Sequence, residues 1–216
     1  SIETLRRQAA KRHSHAIEPP AAETASLPPT ELYRQAKEGV VSVGKLYKCN
    51  SCSRWHVSMA TGFVIRKDGV IVTNYHVIEE KEKNEKEAPT LGIRTHDGRV
   101  FPVTEVLAAS ESDDLVVMKV EAENLSALPV SGGAEIGTPI WVISHPQKHL
   151  YTFSEGIVSG RYTREHGGTK EDVITITADF AKGSSGAPVL NANGTVVGIA
   201  RATSSIYYKK VDGVDS

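Results

Sequence analysis

The feature that most constrains this chain is a succession of short Val- and Ile-rich runs cut by turns. They begin at Val40-Val41-Ser42-Val43 and continue through Thr61 to Ile65, Val70 to Val72, Val100 to Val106 and Leu115 to Val120. Pro139 to Ile143, Tyr151 to Val158, Val173 to Ile176 and Thr195 to Ile199 extend the series. Branched side chains favour strands, and the intervening Lys67-Asp68-Gly69, His96-Asp97-Gly98 and Asn193-Gly194 are turn sequences. Many short strands without a sustained helical period predict an all-β domain, either sandwich or barrel.

The 216 residues suffice for one sizeable core. Residues 1 to about 30 differ in composition, being rich in Ala, Glu, Arg and Pro. They hold few large apolar residues, so they read as an extension that buries little surface. Thr30 to Glu38 is a candidate short helix with Thr30 as N-cap and Gly39 just past its end. The first 38 residues are therefore expected to be an extension or linker with a short helix. Glu79 to Glu87 is a mixed charge run expected to be an exposed, solvated loop. A net charge of -1 gives no reason to expect nucleic acid, and no apolar run reaches membrane-spanning length.

Three segments carry chemistry. Val72-Thr73-Asn74-Tyr75-His76-Val77 ends a strand on a histidine, and Asp113-Asp114-Leu115-Val116 opens a strand on acidic residues. Gly183-Ser184-Ser185-Gly186-Ala187-Pro188 is a tight Gly/Ser turn before a strand. Acyl transfer by a serine needs a base, a carboxylate that orients the base, and donors for the oxyanion. Ser185 is the candidate nucleophile, His76 its base and Asp114 the orienting carboxylate, with the N–H groups of Gly183 and Ser185 as candidate oxyanion donors. A histidine base predicts activity rising with pH between about 6 and 7. The order His, Asp, Ser excludes the α/β-hydrolase order, because no histidine follows Ser185. The subtilisin-type order begins with Asp on an α/β fold, which the strand-rich pattern disfavours; the chymotrypsin arrangement remains.

With these residues in place, the chain resembles the trypsin-like peptidases of the HtrA/DegP branch. The shared patterns are Thr-Asn-x-His-Val at Thr73 to Val77, Asp-Leu-x-Val-x-Lys-Val at Asp114 to Val120, and Gly-x-Ser-Gly-x-Pro at Gly183 to Pro188. Gly62 to Ile65, Gly156 to Ser159 and Val197 to Ile199 also resemble family strands, and the likeness runs over roughly residues 33 to 203. It implies a chymotrypsin-like double β-barrel over residues 39–216, a serine endopeptidase acting on protein or peptide substrates without a cofactor, and a homo-oligomer, a trimer. It also implies an exported location, periplasm or cell envelope. The motif frame selects Asp114 over Asp113 and Ser185 over Ser184. Ala187 replaces the family's second glycine after the serine, and the turn before Ser185 looks one residue shorter. PDZ-linked regulation is not carried over.

The resemblance also assigns substrate contacts. Asp179, six residues before Ser185, falls where trypsin-like enzymes hold the base of the S1 pocket; Arg201 is a candidate partner for it. Gly198 to Ala202 is expected to pair with substrate backbone, so Arg201 and Ala202 join the substrate-binding set. Cys49 and Cys52 read as a local disulfide or two hairpin thiols, with His56 close enough to make half a zinc site but no second half. The site itself is expected to hold no metal. His145 and His149 read as loop residues. The rival to an active enzyme is a protease-like binding scaffold with a distorted oxyanion hole.

Overall fold

The computed structural model describes residues 2–11, 16–22, 24–48, 52, 54–79, 89–166, 169–201, 210–211 and 214–215. Strands β1 (Val40–Lys48), β2 (Trp55–Arg66), β3 (Val70–Thr73), β4 (Thr90–Arg94), β5 (Val100–Ser110) and β6 (Leu115–Val120) close into a barrel in the order β1-β2-β3-β6-β5-β4. A second sheet holds β7 (Pro139–Ser144), β8 (Thr152–His166), β9 (Thr169–Ile176), β10 (Pro188–Leu190) and β11 (Val196–Ile199), ordered β11-β10-β7-β8-β9. A two-stranded ladder joins β12 (Lys210–Val211) and β13 (Val214–Asp215). Three α-helices, α1 (Ile2–Ala9), α2 (Pro29–Ala36) and α3 (His76–Glu79), and two 3-10 turns at Lys37–Gly39 and Pro146–Lys148 complete the described elements. This is the expected all-β architecture of one closed barrel beside a second, half-closed one.

Alternation along the strands explains how the two sheets share a core. Successive side chains on a strand point to opposite faces. In β2, Val64 packs inside the barrel while Phe63 and Ile65 join the cluster between the sheets. In β3, Ile71 faces the barrel interior and Val70 and Val72 face outward to the second sheet. Both faces are covered, so these strands read as continuous apolar runs. Ile143, Leu190 and Val196 supply the second sheet's side of that seam. Beyond them, Ile140, Val142, Val158 and Val189 form a separate core.

The N-terminal region departs from the expectation of little burial. Ile2, Leu5 and Ala9 fall on one face of α1 and are buried in the barrel's cluster. Arg6 lies on the same side; its guanidinium donates Nε to the Ile78 carbonyl at 2.7 Å and Nη2 to the Glu79 carbonyl at 3.3 Å. It thereby satisfies terminal carbonyls of α3. Only three small-to-medium apolar residues make this stripe, which is why composition alone concealed it. The second helix also starts earlier than expected. Pro28, not Thr30, is its N-cap, and Lys37–Gly39 form a 3-10 turn after it. Proline tolerates a first helical turn because the missing N–H has no partner there anyway. Strand β4 escaped the sequence reading because Gly92 and Arg94 interrupt its apolar residues.

Candidate active site

Antiparallel pairing of β3 with β6, with Thr73 opposite Val116, sets the end of one strand beside the start of the other. Asn74 Nδ2 and the Tyr75 N–H both donate to the Asp114 carbonyl at 3.0 Å. Asp114 has φ +53°, a left-handed conformation that Asp tolerates better than most residues. The paired donors hold it there. Its carboxylate then meets His76: Oδ1 accepts the His76 backbone N–H at 2.9 Å, and Oδ2 lies 2.8 Å from His76 Nδ1. Burial pushes the Asp114 carboxyl up, but the His76 hydrogen bonds and the Arg201 charge outweigh this, and its pKa lies below the usual value. Asp114 is therefore an anion held on the δ nitrogen of the imidazole, leaving Nε2 of His76 for proton transfer.

The Gly/Ser turn is built from its backbone oxygens. Ser184 N–H donates to the Ala181 carbonyl at 2.9 Å, making a turn centred on Lys182 and Gly183. The Lys182 carbonyl accepts from Gln147 N–H at 2.7 Å, and the Gly183 carbonyl accepts from Thr61 Oγ1 at 2.8 Å. The Ser184 carbonyl accepts from Ala187 N–H, and that of Ser185 from Thr61 N–H, each at 2.9 Å. Four successive carbonyls are thus occupied. In a trans peptide the N–H points opposite to the preceding C=O. Among the described residues, the N–H groups of Gly183 and Ser185 have no acceptor, and both residues line one cleft with His76. Gly183 has φ +102°, and a Cβ there would come within 2.4 Å of the His145 carbonyl, so glycine is required.

The two serines separate by what holds them. Ser184 is fully buried, with Oγ donating to Ser144 Oγ at 3.0 Å and accepting from Ala181 N–H at 3.3 Å. Among the described residues, Ser185 contributes only its backbone to the scaffold, and it lines the cleft. Lys45 and Lys182 line the same cleft.

Other expected site residues fall differently. Arg201 does not approach Asp179; its Nε lies 3.0 Å from Asp114 Oδ2 and its Nη1 2.5 Å from Glu171 Oε1. Asp179 is exposed and absent from the residues lining the His76–Ser185 cleft; its carbonyl accepts from Ser154 Oγ. Ala202 lies outside the described residues, as do Cys49 and positions 80–87 of the charge run. Cys52 Sγ sits 3.1 Å from His56 Nε2, and no cluster of three or more metal-ligating side chains occurs among the described residues.

Sequence reading missed Thr61, Glu171 and the role of His145. Thr61 looked like part of an apolar run, and Glu171 like one charge among several on a polar strand. His145 lies in the loop after β7, as expected, but its side chain is packed in the core. It is fully buried, donates its N–H to Thr61 Oγ1 at 3.1 Å, and accepts the Tyr151 N–H on Nδ1 at 3.0 Å. Burial lowers its pKa to about 4. The unfolded chain takes up this proton near 6.5, so the stabilisation is complete above that pH and is lost as pH falls toward 4. The loss amounts to roughly 3 kcal/mol. Urea unfolding from pH 7.5 to 4.5 is expected to show a steeper stability decline in the native chain than in His145→Asn. Parallel declines would remove His145 as the cause.

Comparison with known proteins gives the family and the fold. A model of the trypsin-like peptidase domain matches residues 60–199. The chain is 32% identical over 145 residues to a probable periplasmic serine endoprotease, DegP-like, of Chlamydia pneumoniae, covering 66% of this chain and 28% of that protein. It is 29% identical over 148 residues to the mitochondrial serine protease HTRA2 of Drosophila virilis, covering 66% of this chain and 34% of that one. The chain thus spans about a third or less of these relatives. Among solved structures, the HtrA-type protease AlgW with decapeptide superposes with a TM-score of 0.70 at 21% identity, covering 83% of this chain and 60% of that one. Matched over well over half of its length by the family model, and carrying the fold of its HtrA-type neighbours, the chain belongs to the trypsin-like peptidase family.

Proposed function

We propose that residues 39–216 form a serine endopeptidase that hydrolyses peptide bonds of protein substrates through an acyl-enzyme. Ser185 Oγ attacks the scissile carbonyl and passes its proton to His76 Nε2. Asp114 holds the imidazole tautomer and balances the imidazolium. The Gly183 and Ser185 N–H groups bind the oxyanion. His76 then gives the proton to the departing amine, and water, deprotonated by His76, releases the acid product. The observation that carries this reading is the pair of acceptor-free N–H groups in the cleft that also contains His76, oriented by Asp114. A distorted oxyanion turn, which the inactive-scaffold reading requires, would leave a carbonyl free to face that cleft, whereas all four are occupied elsewhere.

Strand β11 lies at one edge of its sheet among the described residues. That edge suits an extended peptide added as a further strand, with affinity from main-chain hydrogen bonds. Protein substrates fit this mode, and relatives bear endoprotease names. No cofactor is called for by the chemistry. The first 38 residues act as an extension folded onto the domain. An exported location and a trimeric assembly follow the HtrA likeness; no helix of the described residues is long and apolar enough to cross a membrane.

The test is cleavage of casein and of an internally quenched, unstructured peptide by the purified chain. Internal peptide bonds are expected to break without added metal or cofactor. A folded chain that cleaves neither, across a set of peptides varied at P1, would overturn the reading.

A further inference from the structure

Asp114 is shared. The imidazole of His76 and the guanidinium of Arg201 both approach its Oδ2, at 2.8 and 3.0 Å. Arg201 extends on to Glu171 Oε1 at 2.5 Å, and Glu171 Oε2 accepts from Arg164 Nε at 3.1 Å and Nη2 at 2.6 Å. Charges alternate along this line from the barrel to the β8–β9 hairpin. Both carboxylates are buried: Asp114 is 4% exposed and Glu171 9%. We propose that Arg201 is a positioning residue, a cationic brace that fixes the triad carboxylate against the second sheet through Glu171. The proposal rests on the triad assignment above.

The fold explains why Arg201 can do this. It follows β11, and β9 lies at the opposite end of the same sheet. The sheet curls so that side chains reach across from one end strand to the other while, among the described residues, the edge of β11 stays unpaired: a Cβ on Gly198 of β11 would come 2.9 Å from the Ile174 side chain of β9. The brace therefore spans the seam between barrel and sheet, where the carboxylate would otherwise be anchored only from the barrel side. Removing one member of such a buried set leaves the others uncompensated. Without Arg201, Asp114 and Glu171 face each other as two anions, and Asp114 loses its preferred orientation toward Nδ1.

The brace also bears on the proton. Two cations sharing one carboxylate oxygen lie no more than about 6 Å apart, close enough to interact appreciably. Arg201 therefore opposes a second positive charge on the imidazole, and Glu171 offsets part of that. Other charged groups near the site are Lys45 from β1 and Lys182 from the serine turn, which line the cleft, Glu79 and Glu111, which lie against Tyr75 beside His76, and Asp113, which precedes Asp114 and is bonded to Ser110. These stay in place when Arg201 alone is changed.

The experiment is a kcat and KM profile from pH 5 to 9 for the native chain, Arg201→Gln and Arg201→Lys, with Ser185→Ala as the activity control. Arg201→Gln is expected to lower kcat about tenfold or more with KM little changed, and to move the acidic limb to higher pH by about half a unit or more. Arg201→Lys restores the position of the limb and only part of kcat, since one ammonium cannot bridge both carboxylates as the fork does. An unmoved limb in Arg201→Gln overturns the proposal. So does a raised KM at unchanged kcat, which makes Arg201 a substrate contact instead. If the native chain has no activity sensitive to Ser185→Ala, the triad reading itself has failed. The coupling is then read without turnover, by NMR titration of the His76 ring in the Ser185→Ala background with and without Arg201→Gln. Coincident His76 titration curves overturn the proposal there; separated curves support it. Where Arg201→Gln does not fold, Arg201→Lys carries the test: native kcat in that variant contradicts the brace.

Discussion

Ser185→Ala is expected to cut peptide hydrolysis by a factor of about 10⁴ or more while leaving stability almost unchanged. The size follows from chemistry: without Oγ there is no acyl-enzyme, and only binding and oxyanion stabilisation remain. The structural silence follows from the turn. Its hydrogen bonds use the backbone of Ser185 and the side chain of Ser184. Ser184→Ala should show the reverse profile. It strands the Ser144 hydroxyl and the Ala181 N–H, costing about 1 to 3 kcal/mol by the usual penalty for orphaned buried polar groups. Parallel rate and thermal-unfolding measurements on the two variants separate nucleophile from scaffold. Equal activity of Ser185→Ala and the native chain would remove Ser185 from the mechanism.

Gly186→Ala is expected to be the most destabilising single change near the site. Gly186 has φ +84°, and a Cβ there would lie 2.1 Å from Thr73 Oγ1 and 2.2 Å from the Thr61 carbonyl. Neither atom can retreat easily. Thr73 Oγ1 donates to that same carbonyl at 2.7 Å, and both threonines are fully buried in barrel strands. The left-handed backbone costs an L-residue about 1 to 2 kcal/mol, and forced overpacking adds about 1 to 3. A loss of about 3 kcal/mol or more is a large share of a typical domain's stability of about 5 to 15. Urea unfolding measures it. A loss below about 1 kcal/mol would mean that the turn can shift away from the barrel, contrary to the close contact described. Because the Gly186 N–H also donates to the Ala200 carbonyl at 2.9 Å, such a shift would disturb the edge proposed for substrate.

What could be read from the sequence was local. His76, Asp114 and Ser185 each sit in a short segment whose neighbours shape its turn, and chain order together with the strand-rich pattern separates the possible serine-hydrolase folds. The short Val- and Ile-rich runs mark the strands, because branched apolar side chains favour strands whatever surrounds them. What escaped depends on closure in three dimensions. Thr61, at the start of an apolar run, bonds the serine turn through both its N–H and its hydroxyl. His145 is buried only because the end of β7 tucks beneath that turn. Arg201 is expected within a strand running from Gly198 to Ala202 and beside Asp179, but β11 ends at Ile199 and the curl of the second sheet takes Arg201 to Glu171 and Asp114. Nothing in the run Thr169-Lys170-Glu171-Asp172 distinguishes Glu171 from its charged neighbours. Helix α1 illustrates the same limit, since three apolar residues became a buried face only once the barrel wall and α3 were present to receive them.

The central claim, that Ser185 is activated by His76 within a formed site, is most directly measured by covalent trapping. A fluorophosphonate reacts with an activated serine by forming an Oγ–P bond and expelling fluoride, with the serine proton taken up by the base. Intact mass and peptide mapping of the treated, folded chain should find one adduct, on Ser185, that disappears in His76→Ala. No adduct on a folded chain, or an adduct on Ser184 or another residue, would contradict the account.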